Sequence, residues 1–339
     1  AEIGNSAWNI AALTEIPEDL ESSDLLKKAL EEEIAFNFEN IYMLLALIYD
    51  PQAIKLVKDN IESGTVEGVV YAIELLDVFL ADELKPIFFP LIEDISQSER
   101  NERLQGHFPR QALDNVEVLK QIINRDYNNI NKWTKACAIY CYANMIETDI
   151  CDDLIANLFN PDPLIREVSA WAVSKKDFFS YKRSTLRLSE NIKKELDARY
   201  MPDLEIEEVA KGMSRIEKIF FLKTLPSFEN VPGVILVEFV ELVEEVRFKK
   251  GEIILKKNAR GNSPLFIIVK GQAVAYDLPE MEEKYRIEER ELIGEMLILD
   301  QDRNPYEIVA TEECVAFRID KDRFLEQITD NFEIAKELI

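Results

Sequence analysis

The chain has 339 residues, 65 of them acidic and 40 basic, giving a formal charge of −25 at neutral pH with a single histidine. That length allows two domains, each with its own core, and that charge argues against nucleic acid as the main partner, because an acidic surface repels phosphate backbones and anionic lipid headgroups alike. The surplus carboxylates read as a solvated surface rather than a dedicated acidic face. The cysteines, Cys137, Cys141, Cys151 and Cys314, lack the spacing of a disulfide framework, which points to a reducing compartment. No run of about 18 uncharged apolar residues is present and no secretory leader is visible, so no transmembrane segment is expected. The start at Ala1 fits either simple processing or a piece cut from a longer polypeptide.

From about Leu20 to about Tyr200 the apolar residues recur at helical period. Ile41, Leu44, Leu45 and Ile48 share one face of a predicted helix that stops at Asp50-Pro51. Ile54, Val57 and Ile61 mark the next helix, which ends at Ser63-Gly64, and Val69, Val70, Ile73, Leu76 and Leu80 mark another. Pro86 and Pro90 are expected in the first turn and at a kink of a helix from about Leu84 to Ile95. Ser96 to Arg110, with Gly106 and Pro109, reads as the longest loop. His107 lies in it without a nucleophile motif nearby, so it reads as a structural or surface histidine rather than a triad member.

The period resumes at Val116, Leu119, Ile122 and Ile123, continues through Trp133, Ala136, Cys137, Tyr140 and Cys141, and reaches Leu154, Ile155 and Leu158. Cys137 and Cys141 lie one helical turn apart and share a potential thiolate face with Cys151. No CxxC pair supports a metal, and small core cysteines are the stronger reading. Trp133, Tyr140 and Trp171 read as helix-packing aromatics, with a partner-binding ridge as the alternative. The run Asn160-Pro161-Asp162-Pro163-Leu164-Ile165-Arg166-Glu167-Val168-Ser169-Ala170-Trp171-Ala172 resembles the second-helix opening of a HEAT repeat. That resemblance implies an α-solenoid of stacked helix pairs with a protein-binding surface, and an irregular helical bundle is the competing architecture.

Met201-Pro202 and the acidic stretch from Glu205 to Glu208 look like a junction, followed by a predicted helix from Met213 to Leu222. Leu225-Pro226-Ser227-Phe228 leads into a second helix, Val234 to Glu245. Beyond it the pattern changes to short strands. Val246 to Ile254 is strand, turn, strand around Lys250-Gly251, and Leu265 to Tyr276 repeats the form around Lys270-Gly271. Val315 to Ile319 supplies a late strand, and the Asp320 to Phe324 segment opens a closing helix. Such strands predict a small antiparallel barrel or jelly roll.

Gly294-Glu295-Met296-Leu297-Ile298-Leu299-Asp300, followed by Arg303-Asn304-Pro305, has the layout of a phosphate-binding cassette, in which a turn and short helix present backbone N–H groups and a carboxylate to a sugar phosphate. From about Leu225 onward the chain resembles the cyclic-nucleotide-binding domain family. In that family the cassette glutamate takes the ribose 2′-hydroxyl, an arginine nine positions later pairs with the cyclic phosphate, and the N–H of the following residue helps. The resemblance therefore implies cyclic AMP or cyclic GMP as ligand, at Gly294, Glu295, Met296, Leu297, Arg303 and Asn304.

The sequence departs from the family at the phosphate. Asn304 occupies the arginine position, Arg303 is displaced by one residue, Pro305 has no N–H, and Leu297 stands where alanine is usual. Each charge-assisted bond lost is worth about 1.5–3 kcal/mol. Two readings follow: a cassette kept as a brace without ligand, or a bulged loop that brings Arg303 to the phosphate.

The expected fold class is thus multidomain α and β: a HEAT-like all-α solenoid over 1–200, a helical linker over 201–224, and a cyclic-nucleotide-binding-like β jelly roll or barrel with flanking helices over 225–339. The domain order resembles the soluble C-terminal extension of bacterial transporters of the ATP:ADP antiporter type. That implies a non-catalytic regulatory module on the cytoplasmic face of the membrane, with a protein partner on the solenoid and a cyclic nucleotide as the alternative ligand. No catalytic constellation, metal cluster or P-loop stands out in the sequence.

Overall fold

The computed structural model describes residues 1–18, 21–146, 148–201, 212–258, 263–294 and 304–330. The chain divides into two compact units, Ala1–Lys193 and Lys194–Ile339. The first is helical, and the β-strands lie in the second.

The helices of the first unit are α1 (Glu2–Leu13), α2 (Glu21–Ala46), α3 (Pro51–Glu62), α4 (Val66–Phe79), α5 (Lys85–Ile92), α6 (Gln97–Leu104), α7 (Asn115–Asn124), α8 (Lys132–Asn144), α9 (Asp152–Asn157), α10 (Pro163–Lys176) and α11 (Phe178–Thr185), with α12 (Glu190–Tyr200) crossing the boundary. Their starts are written as caps. The side chains of Asp50, Thr65, Ser96, Asp114, Asn131, Asp162 and Asp177 each accept a hydrogen bond from an N–H of the turn they open, and Pro51 and Pro163 sit in the first turn, where no N–H is needed.

Successive helices pack in pairs, α3 on α4, α5 on α6, α7 on α8 and α10 on α9 and α11. In addition α1 packs along α2, and α2 lies against α8. One core cluster gathers Ile41, Tyr42, Leu45, Ile54, Val57, Ala72, Leu76 and Phe88. Leu26, Ala29, Leu30, Trp133, Ala136 and Ile139 are also buried. The α2–α8 contact carries polar ties as well: Glu33 of α2 accepts from the Asn131 N–H and, at 3.4 Å, from the Thr134 hydroxyl at the start of α8, and burial pushes its carboxyl above the ordinary range.

Several expectations are corrected here. Ser96 to Arg110 is not a continuous loop but contains α6, which Ser96 caps through Glu99 N–H at 3.2 Å. Its apolar signal is almost absent because only Leu104 is buried. The helix is held instead by Arg100, which donates to Pro90 O at 2.8 Å and Glu93 O at 3.0 Å. Helix α1 lies ahead of the expected helical start, because it buries Asn5, Ser6, Asn9 and alanines rather than a stripe of large apolar residues. Leu44 and Ile48 do not share the core with Ile41 and Leu45 but are exposed, and α2 ends at Ala46, before Asp50-Pro51.

In the second unit α13 (Arg215–Lys223) opens with a reciprocal capping box between Ser214 and Glu217. α14 (Gly233–Phe239) continues as a single 3-10 turn, Val240–Leu242. The strands are β1 (Val243–Phe248), β2 (Ile253–Leu255), β3 (Leu265–Lys270), β4 (Ala273–Asp277), β5 (Glu282–Ile287), β6 (Leu292–Ile293), β7 (Glu307–Ala310) and β8 (Cys314–Ile319), followed by α15 (Lys321–Asp330). The helix expected over Val234 to Glu245 therefore stops early. Val243, Glu244 and Glu245 instead pair antiparallel with Ile319, Arg318 and Phe317, and Arg318 Nη1 meets Glu244 at 2.6 Å.

Two four-stranded antiparallel sheets, ordered β1-β8-β3-β6 and β2-β7-β4-β5, face each other in a jelly roll. Their inner faces supply Ile254, Leu255, Phe266, Ile268, Ala273, Ala275, Ile287, Ile293, Ile308 and Ala316 to one cluster. The two Lys-Gly hinges turn on positive φ, +86° at Gly251 and +93° at Gly271. At Gly271 a Cβ would also lie 2.6 Å from Glu313 O, so no other residue fits that corner.

Candidate functional site

The sandwich interior is lined by apolar side chains, and the cassette expected from the sequence falls between the end of β6 and the start of β7. Gly294 closes β6 with φ +92°, a left-handed turn that glycine adopts without strain. Of the expected site residues, Glu295, Met296, Leu297 and Arg303 lie outside the described residues, and Gly294 and Asn304 lie within them.

Asn304 is 7% exposed. Its Nδ2 donates to Lys256 O at 3.2 Å and to Tyr306 O at 2.6 Å, and its own carbonyl accepts from Asn258 N–H at 2.8 Å. Asn258 turns at φ +60°, a conformation that asparagine tolerates better than most residues. The carboxamide is thus a strap between the approach to β7 and the turn after β2, and both of its N–H donors are committed to protein carbonyls.

Beside the strap, Lys257 Nζ donates to Asp277 Oδ1 and Leu278 O, both at 2.7 Å. The Lys257 hydrogen bond holds the Asp277 carboxyl below the ordinary carboxylate range. Tyr306 meets Tyr285 of β5 edge to face, with ring centroids 5.7 Å apart. Sequence reasoning missed Lys257, Asn258 and the Tyr285–Tyr306 pair. The pair was hidden because β5 reads Glu-Glu-Lys-Tyr-Arg, exposed and charged with no apolar alternation, and the one available signal was Tyr306 following Pro305 at the start of a strand.

The remaining candidates form no metal-binding group among the described residues. Cys137 and Cys141 are buried in α8, where burial raises the Cys141 thiol above its usual range and Ser23 Oγ lies 3.7 Å from its sulfur. Cys314 donates to Gln272 O at 3.1 Å in the jelly-roll core. Among the described residues no group of three or more His, Cys, Asp or Glu side chains has the arrangement of a metal site. His107 is exposed. Tyr140 and Trp171 stack with centroids 4.7 Å apart and 13° between planes, and Trp133 is buried, so these rings pack helices together. Among the described residues no helix is long and apolar enough to cross a membrane.

Solved structures similar to this chain include the sensor domain of the transcriptional regulator DNR from Pseudomonas aeruginosa, 23% identical over 37% of this chain and 85% of that one, with a TM-score of 0.34. A putative cyclic nucleotide-binding protein from Geobacter metallireducens GS-15 is 16% identical over 38% of this chain and 90% of its own, with a TM-score of 0.33. The regulatory subunit of a cAMP-independent protein kinase A from Trypanosoma brucei is 20% identical over 36% and 46%, with a TM-score of 0.32. Residues 245–331, which run from within β1 through β8 and into the closing helix, match the family described as the cyclic nucleotide-binding domain.

Proposed function

We propose that the chain is a non-catalytic regulatory and interaction module whose jelly roll binds cyclic nucleotide weakly or not at all. The observation that carries this reading is Asn304. The residue at the family's arginine position donates both of its side-chain N–H groups to backbone carbonyls, so it has none left for a phosphate oxygen. Pro305 adds no N–H at the next position. Losing a bidentate cation and a backbone donor costs about 3 kcal/mol or more, which lowers affinity by two or more orders of magnitude.

The helical unit is the interaction surface in this reading. Its successive pairs, α3 with α4, α5 with α6 and α7 with α8, support a HEAT-like stack, to which the α2–α8 contact adds a closure that a nearest-neighbour stack lacks. Large apolar side chains stand exposed along α2 to α4, among them Met43, Leu47 at 83%, Ile48, Val70 and Val78 at 85%, as on surfaces that meet another protein. Attachment to a transporter of the ATP:ADP antiporter type would put this surface on the cytoplasmic face of a membrane.

The alternative is a cyclic nucleotide sensor regulating an attached or associated transporter, in which a bulged cassette brings Arg303 to the phosphate. It requires the ligand to bind two states of the module with different affinity. Calorimetric titration of the purified chain and of Arg303→Ala with cyclic AMP and cyclic GMP separates the two. No saturable heat at ~1 mM ligand supports the interaction module, and micromolar binding lost in Arg303→Ala overturns it in favour of the sensor.

A further inference from the structure

The helical unit contains a cavity of about 750 Å³ walled by α1, the connection from α6 to α7, and α7. Its size falls within the range of small-molecule sites. One part of its wall is apolar, from Ala7, Ala11, Leu104 and Phe108, and the other part carries two guanidinium groups, Arg110 and Arg125. Both stand over the indole of Trp8, Arg110 at 5.3 Å and Arg125 at 3.9 Å from the ring centroid.

The two arginines are not equivalent. Arg110 is neutralised: its Nη1 and Nη2 bind the two oxygens of Glu15 at 2.8 and 2.5 Å, and Leu113 N–H holds the same carboxylate at 3.1 Å. Arg125 donates through Nη2 to Asn5 Oδ1 at 3.1 Å and is paired with no carboxylate among the described residues. Its Nε, like that of Arg110, is buried without an acceptor, so the difference between the two lies in the carboxylate that only Arg110 holds. Glu33, the carboxylate that acts on it at longer range, is engaged by Asn131 N–H and the Thr134 hydroxyl. Burial, followed by the neighbouring Arg110, lowers the Arg125 pKa to about 10, which shows that the surroundings disfavour its charge.

Two guanidinium groups line the cavity with one contacting carboxylate, which Arg110 holds, so Arg125 carries its charge there without a carboxylate in contact, inside a chain whose formal charge is −25. A half-buried cation with donors to spare is costly unless an anion completes it. We propose that this cavity is a binding site for a small organic anion, its phosphate or carboxylate seated on Arg125 and its apolar part against Phe108, Ala7 and Ala11. A lining that is cationic in one part and apolar in another selects a compact ligand with charge at one end. The site lies within the helical unit and does not depend on whether the jelly roll binds nucleotide.

The test is calorimetry on the full chain with phenyl phosphate and with benzoate, using phenol as the neutral control. Saturable binding of either anion but not of phenol supports the site, and the anion that binds more tightly identifies the ligand as a phosphate ester or a carboxylate. Arg125→Ala is expected to weaken binding at least ~10-fold, with partial recovery in Arg125→Lys, which restores the charge without the planar fork. Ala112→Trp places bulk at an exposed position of the cavity wall, and is expected to abolish binding without touching the arginines. The proposal is overturned if neither anion binds the wild-type chain at ~10 mM, or if a folded Arg125→Ala or Ala112→Trp binds as tightly as wild type.

Discussion

Asn304 in the jelly roll and Arg125 in the helical unit are both enclosed polar side chains beside a candidate site, yet they use their donors in opposite ways. Asn304 gives both of its N–H groups to Lys256 O and Tyr306 O, and its own main-chain carbonyl is taken by Asn258. Arg125 gives one to Asn5, stacks on Trp8, and keeps a buried Nε without an acceptor. A side chain whose hydrogen-bonding capacity is spent on its own backbone is part of the scaffold, whereas one with buried capacity to spare is where a ligand gains most.

The largest effect on stability is expected from removing the counter-charge at the cavity. Glu15→Ala leaves Arg110, beside Arg125, without its contacting carboxylate and is expected to cost about 3–5 kcal/mol in urea unfolding. Asn304→Ala releases the strap and leaves two carbonyls without their donor, for a loss of about 2 kcal/mol by the same measurement. Arg125→Ala removes a charge whose surroundings disfavour it, and stability is expected to stay within about 1 kcal/mol of wild type. If Asn304→Ala were silent and Arg125→Ala severe, the assignment of scaffold and site would be reversed.

The smallest expected effect is a slope with pH. Burial raises the Glu33 carboxyl above its ordinary 4.5, so the folded chain retains a proton that the unfolded chain has already released. This group's contribution to stability is therefore greatest below 4.5 and falls as pH rises through the folded value. Glu33→Gln, which cannot ionise, is expected to remove that slope, by about 1 kcal/mol or less across the window, when unfolding free energies are compared from pH 4.5 upward.

Much of the fold was legible where a residue type admits one local solution. Asp50-Pro51 and Asp162-Pro163 open helices α3 and α10, and the Lys-Gly turns at Gly251 and Gly271 hinge the strands as their spacing predicts. What escaped were elements whose stability comes from polar or small residues: α1 with its buried asparagines, α6 held by Arg100 to the carbonyls of its neighbour, and the charged edge strand β5. At the sites, that Asn304 stands in place of an arginine is what the family resemblance implies when positions are counted from Glu295, but its inward orientation is not. That depends on Lys256, a residue 48 positions away in sequence. The cavity was less legible still, because Arg110 meets Glu15 across 95 residues and Arg125 meets Asn5 across 120. No local pattern encodes such pairs.

The most direct test is a nitrogen-detected NMR titration of the labelled full chain, following the Asn304 side-chain amide and the Arg125 Nε resonance as cyclic AMP and then phenyl phosphate are added. The Asn304 amide is expected to exchange slowly and not to move with cyclic AMP, and the Arg125 resonance is expected to shift and saturate with phenyl phosphate. An Asn304 amide that shifts saturably with cyclic AMP, beside an Arg125 resonance indifferent to phenyl phosphate, would contradict both expectations.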